Sequence, residues 1–289
     1  MTKTTVLIVG AGGPLGLAMV RALRDRGHPV IACYRTRREG LSQRLAALGA
    51  EPRKLDLSDA EAFGDAARHA DAAIFSPILT VSRSVAPAFS DGRPAVFFSS
   101  NNVAVHPEDP VYARLKQAEQ TVLSEAPGAR ILRPTMIYGH RSDGNLARLM
   151  AFMQRSPITP MPGRADARQQ PVFFEDLAAI AVERLLGPLG EPIAAAAGPL
   201  SMTKWALYEA VAKQSRSKTI ITPVPVAPLG GVLRLWEALR LPSPISAAQL
   251  ARINRDKHPR NGPEFLGKTA LDEGLRRLAR DLDEERSGA

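Results

Sequence analysis

The sequence predicts an α/β fold, a doubly wound parallel sheet followed by a small C-terminal lobe. Short apolar runs alternate with segments of helical periodicity as far as residue 186, which is typical of strand–helix–strand units. A glycine-rich turn separates the first apolar run from the first helical segment. With 289 residues and 45% hydrophobic content, the chain can form one large domain or a core with an appended lobe.

The elements of the core follow in regular order. Strands are predicted over residues 6–9, 29–33, 52–55, 72–75, 95–98 and 130–133. Helices are predicted over residues 15–26, 59–69, 144–155 and 175–186. A shortened helix is predicted over residues 81–89, and the helix that carries Tyr112 and Lys116 is predicted to end near residue 125. Glycine and proline end several of these segments, as in Pro127-Gly128 and at Pro134.

Gly10, Gly13 and Gly16 occupy the turn from the first strand into the first helix. Without Cβ atoms, the backbone can approach a pyrophosphate, and the helix N-terminus offers N–H groups to it. The strand before the turn and the helix after it supply the context that a bare glycine motif lacks. We therefore expect this turn, with Pro14 and Leu15, to bind a dinucleotide in a Rossmann core.

The end of the second strand indicates which dinucleotide binds. An NAD-selective site usually has a carboxylate there, whereas this chain has a run of arginines. Arg35, with Arg37 or Arg38, can pair with a 2′-phosphate, which favours NADP over NAD; an exposed basic turn is the alternative. Asp56, followed by Leu57, is expected either to accept from the adenine amino group or to cap a helix.

Tyr112 and Lys116 are the strongest candidates for chemistry. Residues four apart on a helix share one face, so the lysine charge favours the ionised form of the phenol. The pair follows Ser100, which closes an apolar strand. The order of these signals along the chain, first the phosphate loop, then the serine and then this pair, predicts a hydride-transfer enzyme with Tyr112 as acid/base. Alone, the pair would indicate only a solvated helix face.

Composition excludes several other classes. The single cysteine, Cys33, excludes a disulfide scaffold, and the five histidines lack metal-ligand spacing. The net charge of +9 comes without a basic run interleaved with aromatics, which argues against nucleic acid and favours an anionic cofactor and substrate. Without a signal peptide or membrane-spanning run, a cytoplasmic location is expected. An apolar helix at 229–241 is expected to pack on the lobe.

With these motifs, the chain resembles the extended short-chain dehydrogenases/reductases of the NAD(P)-dependent epimerase/dehydratase family. The resemblance covers most of residues 3–186 and is carried by Gly10, Gly13 and Gly16, Asp56-Leu57, Phe98-Ser-Ser100, Tyr112 and Lys116 with Glu119, Arg133-Pro-Thr-Met-Ile-Tyr-Gly139 and the segment from Gln170 to Ala178. It implies that Tyr112 exchanges a proton with the substrate oxygen, that Ser100 hydrogen-bonds this oxygen, and that Lys116 holds the nicotinamide ribose.

The resemblance also implies the surroundings of the reacting atoms. Pro134 and Thr135 would lie near the nicotinamide, and Asn145 and Arg148 would face substrate phosphates. Asn101 is expected either to contact substrate or to serve in a turn. A homodimer is implied as well, but the short span 71–95 puts the family's two-helix dimer contact in doubt.

These observations divide the chain and predict its function. Residues 1–140, with 171–186 returning to them, form the Rossmann core; residues 141–170 and 187–289 form the substrate lobe and C-terminal helices. The expected activity is NAD(P)-dependent interconversion of a secondary alcohol and a ketone, on a nucleotide sugar, as an epimerase or a keto-sugar reductase. The alternatives are a reductase of a non-sugar ketone and a non-catalytic NADP-binding sensor or structural subunit.

Overall fold

A computed structural model of the protein describes residues 3–36, 39–225 and 255–287. An eight-stranded sheet lies at the centre of this part of the chain. In sheet order the strands are β3 (Glu51–Lys54), β2 (Val30–Tyr34), β1 (Val6–Val9), β4 (Ala72–Ile78), β5 (Ala95–Phe98), β6 (Ala129–Pro134), β11 (Ile193–Ala197) and β14 (Phe265–Leu266). Every pairing in this sheet is parallel. The predicted doubly wound sheet is confirmed, with all six predicted strands.

Helices cover both faces of the sheet and form much of the lobe. They are α1 (Pro14–Asp25), α2 (Leu41–Ala47), α3 (Ala60–Arg68), α4 (Leu79–Ser82), α5 (Asn102–Val105), α6 (Pro110–Glu125), α7 (Leu146–Met153), α8 (Phe174–Leu186), α9 (Lys204–Gln214) and α10 (Leu271–Ser287). The shortened helix predicted at 81–89 is α4 followed by a 3-10 helix over Arg83–Phe89.

Within the described ranges, three two-stranded sheets lie beside the main one. They pair β7 (Ile137–Tyr138) with β10 (Val172–Phe173), β9 (Arg168–Gln169) with β12 (Met202–Thr203), and β8 (Ile158–Pro162) with β13 (Ile220–Val224). The predicted helix at 229–241 lies outside the described residues. No helix in the described ranges combines the length and apolar character needed to cross a membrane.

Two apolar clusters sandwich the main sheet because successive strand side chains point to opposite faces. Val6 and Ile8 face α1 and α8 on one side, while Leu7 faces α3 and α6 on the other. A third cluster joins α7, α9 and α10 through residues such as Met150 and Leu278. The third cluster is the core of the lobe.

The main sheet takes two strands, β11 and β14, from the segment that the sequence places in the lobe. Residues 187–289 are therefore divided, in their described part, between the sheet edge and the lobe. The sequence of β11 is Ile193 followed by four alanines, and alanine favours helices over strands. Parallel pairing with β6 and β14 overrides that preference.

The strand order reverses at β1, because the chain passes from β3 on one side of it to β4 on the other. In open α/β sheets, ligands bind outside the carboxyl ends of the strands at such a reversal. The glycine turn follows the carboxyl end of β1, and Ser100 and Thr135 follow those of β5 and β6. The predicted cofactor and catalytic residues therefore gather at one edge of the sheet.

Candidate active site

A cleft of about 370 Å³ opens at the carboxyl ends of β1, β2 and β3. It is lined by the residues Val9, Gly10, Gly12, Gly13, Cys33, Tyr34, Arg35, Thr36, Leu41, Leu55, Asp56, Leu57, Pro77 and Val81. Five of the predicted cofactor-binding residues are in this lining: Gly10, Gly13, Arg35, Asp56 and Leu57. Pro14, Leu15 and Gly16 form the first turn of α1 beside it. Arg38 lies outside the described residues.

The glycine turn is tight enough to require its glycines. Gly10 has a φ of +82°, in the region that favours glycine, and its N–H donates to the Cys33 carbonyl at 3.0 Å. Gly13 precedes α1 without a side-chain cap. This backbone cradle fits a pyrophosphate at the helix N-terminus, the chemistry expected for a dinucleotide.

Gly16→Ala is expected to destabilise the protein by about 1–3 kcal/mol, the usual cost of overpacking. A Cβ at Gly16 would lie 2.3 Å from the Gly10 carbonyl oxygen and 2.7 Å from the Ala11 Cα, so the turn would have to move. Gly13→Ala is the control, since the nearest atom would be 3.8 Å away. Urea unfolding should separate the two variants, and equal midpoints would contradict the close approach.

Asp56 is held by a local turn in the cleft. Its Oδ1 accepts from the Ser58 N–H at 3.0 Å and from the Ser58 hydroxyl at 2.9 Å. These bonds, helped by the charge of Arg35, lower the pKa of the Asp56 carboxyl and keep it ionised. The N-cap of α3 is Asp59, whose side chain accepts from the Ala62 N–H at 3.0 Å, so the helix-capping alternative for Asp56 is wrong.

Cys33 lies in the wall of the cleft and is 1% exposed. Burial raises the pKa of its thiol to about 12, so the group stays neutral at physiological pH. A neutral, buried thiol packs as a small apolar side chain and is unreactive.

Hydrogen bonds through Asn102 connect Tyr112 with Ser100. The Asn102 side-chain amide donates to the Tyr112 hydroxyl oxygen at 2.9 Å, and the Asn102 backbone N–H donates to the Ser100 hydroxyl oxygen at 3.2 Å. Lys116 is exposed one turn after Tyr112 on α6. Ser100 and Tyr112, from the end of β5 and the start of α6, are thus brought to one place.

Asn101 and His106 lie in the segment between β5 and α6 and are buried polar side chains with incomplete hydrogen bonding. Asn101 is 3% exposed, and its side-chain amide nitrogen has no partner among the described residues; the same holds for Nε2 of His106, 1% exposed. The His106 ring stacks on Tyr112, with centroids 5.8 Å apart. Burial, then the charge of Arg255, lowers the pKa of His106, so its imidazole is neutral at pH 7. Sequence reasoning missed His106.

Glu119 anchors the helix that carries Tyr112 and Lys116. It is 1% exposed and accepts from Arg133 of β6 at 2.8 Å (Nε) and 2.5 Å (a terminal nitrogen). The Ser99 hydroxyl donates to the same carboxylate at 2.5 Å. Because Ser99 precedes Ser100 and Arg133 precedes Pro134, one carboxylate joins α6 to the ends of β5 and β6.

Pro134, the last residue of β6, and Thr135 after it form hydrogen bonds to neighbouring segments. The Pro134 carbonyl accepts from the Asn101 N–H at 3.0 Å, and the Thr135 hydroxyl donates to the Gln170 carbonyl at 2.5 Å. They are the first and second residues after Arg133. They therefore lie at the same edge as Ser100, as their predicted role requires.

A second cavity, of about 220 Å³, lies in the lobe. It is lined by Met136, Asn145, Leu146, Leu149, Pro162, Gln169, Lys204, Leu207, Tyr208 and Lys257. Of the predicted substrate residues, Asn145 lines this cavity, whereas Arg148 is exposed on α7 and is not among the lining residues. Lys204 and Lys257 carry no motif and were missed by sequence reasoning. Among the described residues, no cluster of His, Cys, Asp or Glu could hold a metal ion.

Comparison with solved structures agrees with this architecture over nearly the whole chain. A nucleoside-diphosphate-sugar epimerase from Pseudomonas aeruginosa matches with a TM-score of 0.75 and 18% identity, covering 98% of this chain and 99% of that chain. The chain shares its fold. The dTDP-glucose 4,6-dehydratase of Bacillus anthracis, in complex with NAD, matches with a TM-score of 0.72 and 10% identity, covering 98% of each chain.

A reductase has the same fold. The dTDP-4-dehydrorhamnose reductase of Bacillus anthracis, in complex with NADP, matches with a TM-score of 0.65 and 16% identity, covering 96% of this chain and 98% of that chain. A model of the NmrA-like family matches residues 2–108. None of the curated protein sequences matches the chain. The predicted resemblance to the epimerase/dehydratase group is confirmed at the level of the fold.

Proposed function

We propose that the protein is an NAD(P)-dependent oxidoreductase that interconverts a secondary alcohol and a ketone. The observation that carries the proposal is the hydrogen-bonded path from Tyr112 through Asn102 to Ser100, at the same carboxyl-terminal end of the sheet strands as the glycine cleft. A nicotinamide dinucleotide supplies the hydride chemistry when it is bound. Similarity to epimerases, dehydratases and a reductase of nucleotide sugars makes such a sugar the leading substrate class.

The chain's own side chains supply the proton and hold the charge. Carbonyl reduction leaves negative charge on oxygen, and Tyr112 donates its phenolic proton to that oxygen; in the reverse direction it accepts the proton. The Ser100 hydroxyl donates a hydrogen bond to the same oxygen and lowers the barrier further. Lys116, on the same helix face, holds the cofactor ribose.

We propose NADP as the preferred cofactor because Arg35 lines the cleft after β2, where an NAD site usually has a carboxylate. Arg35→Ala should weaken NADP binding about 10- to 100-fold, since a charge-assisted hydrogen bond contributes about 1.5–3 kcal/mol. NAD binding should change little. Fluorescence titration with NADPH and NADH measures both affinities.

Arg21→Ala, on the exposed side of α1, is the matched control and should leave both affinities unchanged. Equal losses for NADPH and NADH in Arg35→Ala would show that this arginine does not read the 2′-phosphate. The basic turn would then be an ordinary solvated one.

Net reduction and epimerisation are separated by cofactor consumption. A reductase consumes NADPH in proportion to product, whereas an epimerase returns the hydride to the same substrate and shows no net change. We favour net reduction because of the arginine in the cleft. Following NADPH absorbance with keto-sugar nucleotides and simple ketones tests this. A cofactor-binding role without catalysis predicts NADPH binding but no turnover with any of them.

A further inference from the structure

A cavity of about 240 Å³ lies at the C-terminal ends of α7 and α9, against the side of α10. Its wall holds three arginines, Arg216, Arg276 and Arg280, and among the described lining residues Asp283 is the only acid. We call it the arginine cavity. It shares no described lining residue with the glycine cleft or with the lobe cavity that contains Asn145. The proposed reaction therefore does not account for it.

The backbone of Arg216 has a conformation that favours glycine. Its φ is +52°, and in the described part of the chain it is the only residue with a positive φ besides eight glycines. Arg216 ends α9 in a Schellman motif, in which its N–H donates to the Lys213 carbonyl at 3.3 Å and the Ser217 N–H donates to the Ala212 carbonyl at 3.3 Å. Glycine is the usual residue at this position, because a Cβ there is strained. An arginine at this point of the wall therefore comes with a conformational cost.

Positive charge exceeds negative charge around the arginine cavity. Arg276 pairs with Glu273 at 2.8 Å, but Glu273 also pairs with Arg277 at 2.9 Å, so two arginines share one acid. In the wall itself, three arginines face one aspartate. Lys213 and Lys218, exposed on either side of Arg216 in the sequence, add further positive charge to this end of the lobe. Like charges repel, and an anion with two or more charges would relieve the repulsion.

Basic side chains at helix ends can also act without a ligand. The C-terminal ends of α7 and α9 carry the partial negative charge of their helix dipoles, which a basic side chain balances. On α9, Lys213 already places such a side chain in the last turn. Balancing the dipole therefore does not require an arginine at the strained position 216.

We propose that the arginine cavity binds a diphosphate group, free or carried by a larger molecule, with Arg216, Arg276 and Arg280 as its cationic contacts. Guanidinium groups pair with phosphoryl oxygens through two parallel hydrogen bonds, and Gln154 and Gln214 add amide groups to the same wall. The volume of about 240 Å³ lies below the ~300–1,000 Å³ of pockets that enclose drug-sized ligands, which suits a small anion.

The arginine cavity is separate from the proposed reaction site. The first residue of α9 lines the lobe cavity and its last residue lines the arginine cavity, so the 11 residues of α9, about 16 Å of helix, lie between the two. An anion bound here would join the ends of α7 and α9 to α10 and stabilise the lobe.

The test uses the full chain with saturating NADP, so that the glycine cleft is filled before any anion is added. The probes are inorganic phosphate, pyrophosphate and ADP, each compared with sodium chloride at equal ionic strength, because salt alone screens repulsion between arginines. Binding is read as the rise in melting temperature, since a ligand that binds only the folded state stabilises it by mass action. Pyrophosphate should act more strongly than phosphate, and the effect of ADP shows whether the diphosphate is accepted as part of a larger molecule.

Arg216→Gly separates a binding role from a structural one, because the two roles predict different changes. Without a probe, the variant should melt at or above the wild-type temperature, since glycine relieves the strained φ. Its affinity for pyrophosphate should fall about 10- to 100-fold, the loss expected for a charge-assisted hydrogen bond. An arginine that only balances the helix dipole predicts the reverse, a lower melting temperature and an unchanged affinity.

Three further variants complete the test. Arg280→Met removes a second arginine of the wall and should weaken pyrophosphate binding to a similar extent. Arg216→Lys keeps the charge without the paired hydrogen bonds and should retain part of the affinity. Arg68→Met is the matched control, because Arg68 is an exposed arginine in the last turn of another helix, α3, and this variant should bind pyrophosphate like the wild type. The melting-temperature rise caused by NADP should be the same in all of these proteins.

Two results would overturn the inference. If Arg216→Gly and Arg280→Met bind pyrophosphate as tightly as the wild type, these arginines do not hold the anion. If no probe raises the melting temperature beyond the matched salt, the arginine cavity is not an anion site. Neither result bears on the proposed oxidoreductase function, whose cofactor is measured separately in the same proteins. Failure of NADP to act would instead contradict that function and leave the arginine cavity to be judged by its own probes.

Discussion

Tyr112→Phe should lower turnover by about 10²- to 10⁴-fold, the usual contribution of a positioned acid/base. The variant keeps the ring that stacks on His106 and removes only the hydroxyl that accepts from Asn102. NADPH affinity should stay close to that of the wild type, because the phenol acts on substrate oxygen. NADPH consumption with a substrate found by the ketone panel gives the rate, and fluorescence titration gives the affinity.

Tyr138→Phe is the matched control for the lost hydroxyl. Tyr138 is buried in the apolar cluster of the lobe and does not line either cavity. Loss of the Tyr138 hydroxyl should leave turnover within a few-fold of the wild type, which is a small effect compared with the one expected at Tyr112. Undiminished turnover in Tyr112→Phe would overturn the assignment of the proton donor.

Glu119→Gln is expected to destabilise the fold by about 3 kcal/mol, the lower end of the ~3–5 kcal/mol found when one partner of a buried ion pair is removed. The lower end applies because the Arg133 side chain keeps 19% of its surface exposed. The amide cannot accept from both Arg133 and Ser99 as strongly as the carboxylate does. Urea unfolding of the purified variant measures the change.

Glu175→Gln is the control for a lost ion pair at the surface. Glu175 pairs with Arg277 at 3.1 Å, but both side chains are nearly half exposed, so the loss should be about 0–1 kcal/mol. Similar losses in the two variants would show that Glu119 does not anchor α6. Because the Glu119 carboxylate joins α6 to the ends of β5 and β6, Glu119→Gln should also lower turnover in the fraction that remains folded.

The sequence predicted the elements whose formation depends on local pattern. Alternating apolar runs and helical segments predicted β1 to β6, since the period of a pattern is set by neighbours along the chain. The glycine spacing predicted the cleft for the same reason, because the turn is made of consecutive residues. By contrast, β11 is an alanine run that becomes a strand only through pairing with β6 and β14.

The missed site residues depend on contacts between distant segments. Lys204 and Lys257 meet only because β9 lies between the start of α9 and the segment after residue 254. His106 shows no spacing signal, since its stacking on Tyr112 follows from the turn between α5 and α6. Glu119 was part of a motif, but its bond to Arg133 depends on how α6 packs against β6, which the local sequence pattern does not set.

A crystal structure with bound NADP tests the central claim most directly. The nicotinamide ring should lie beside the Tyr112 hydroxyl, with the Lys116 ammonium about 2.7–3.2 Å from a ribose oxygen and the 2′-phosphate against Arg35. Ser100 should face the same side of the ring. A ring turned away from Tyr112, or a dinucleotide bound outside the cleft at β1, would contradict the account.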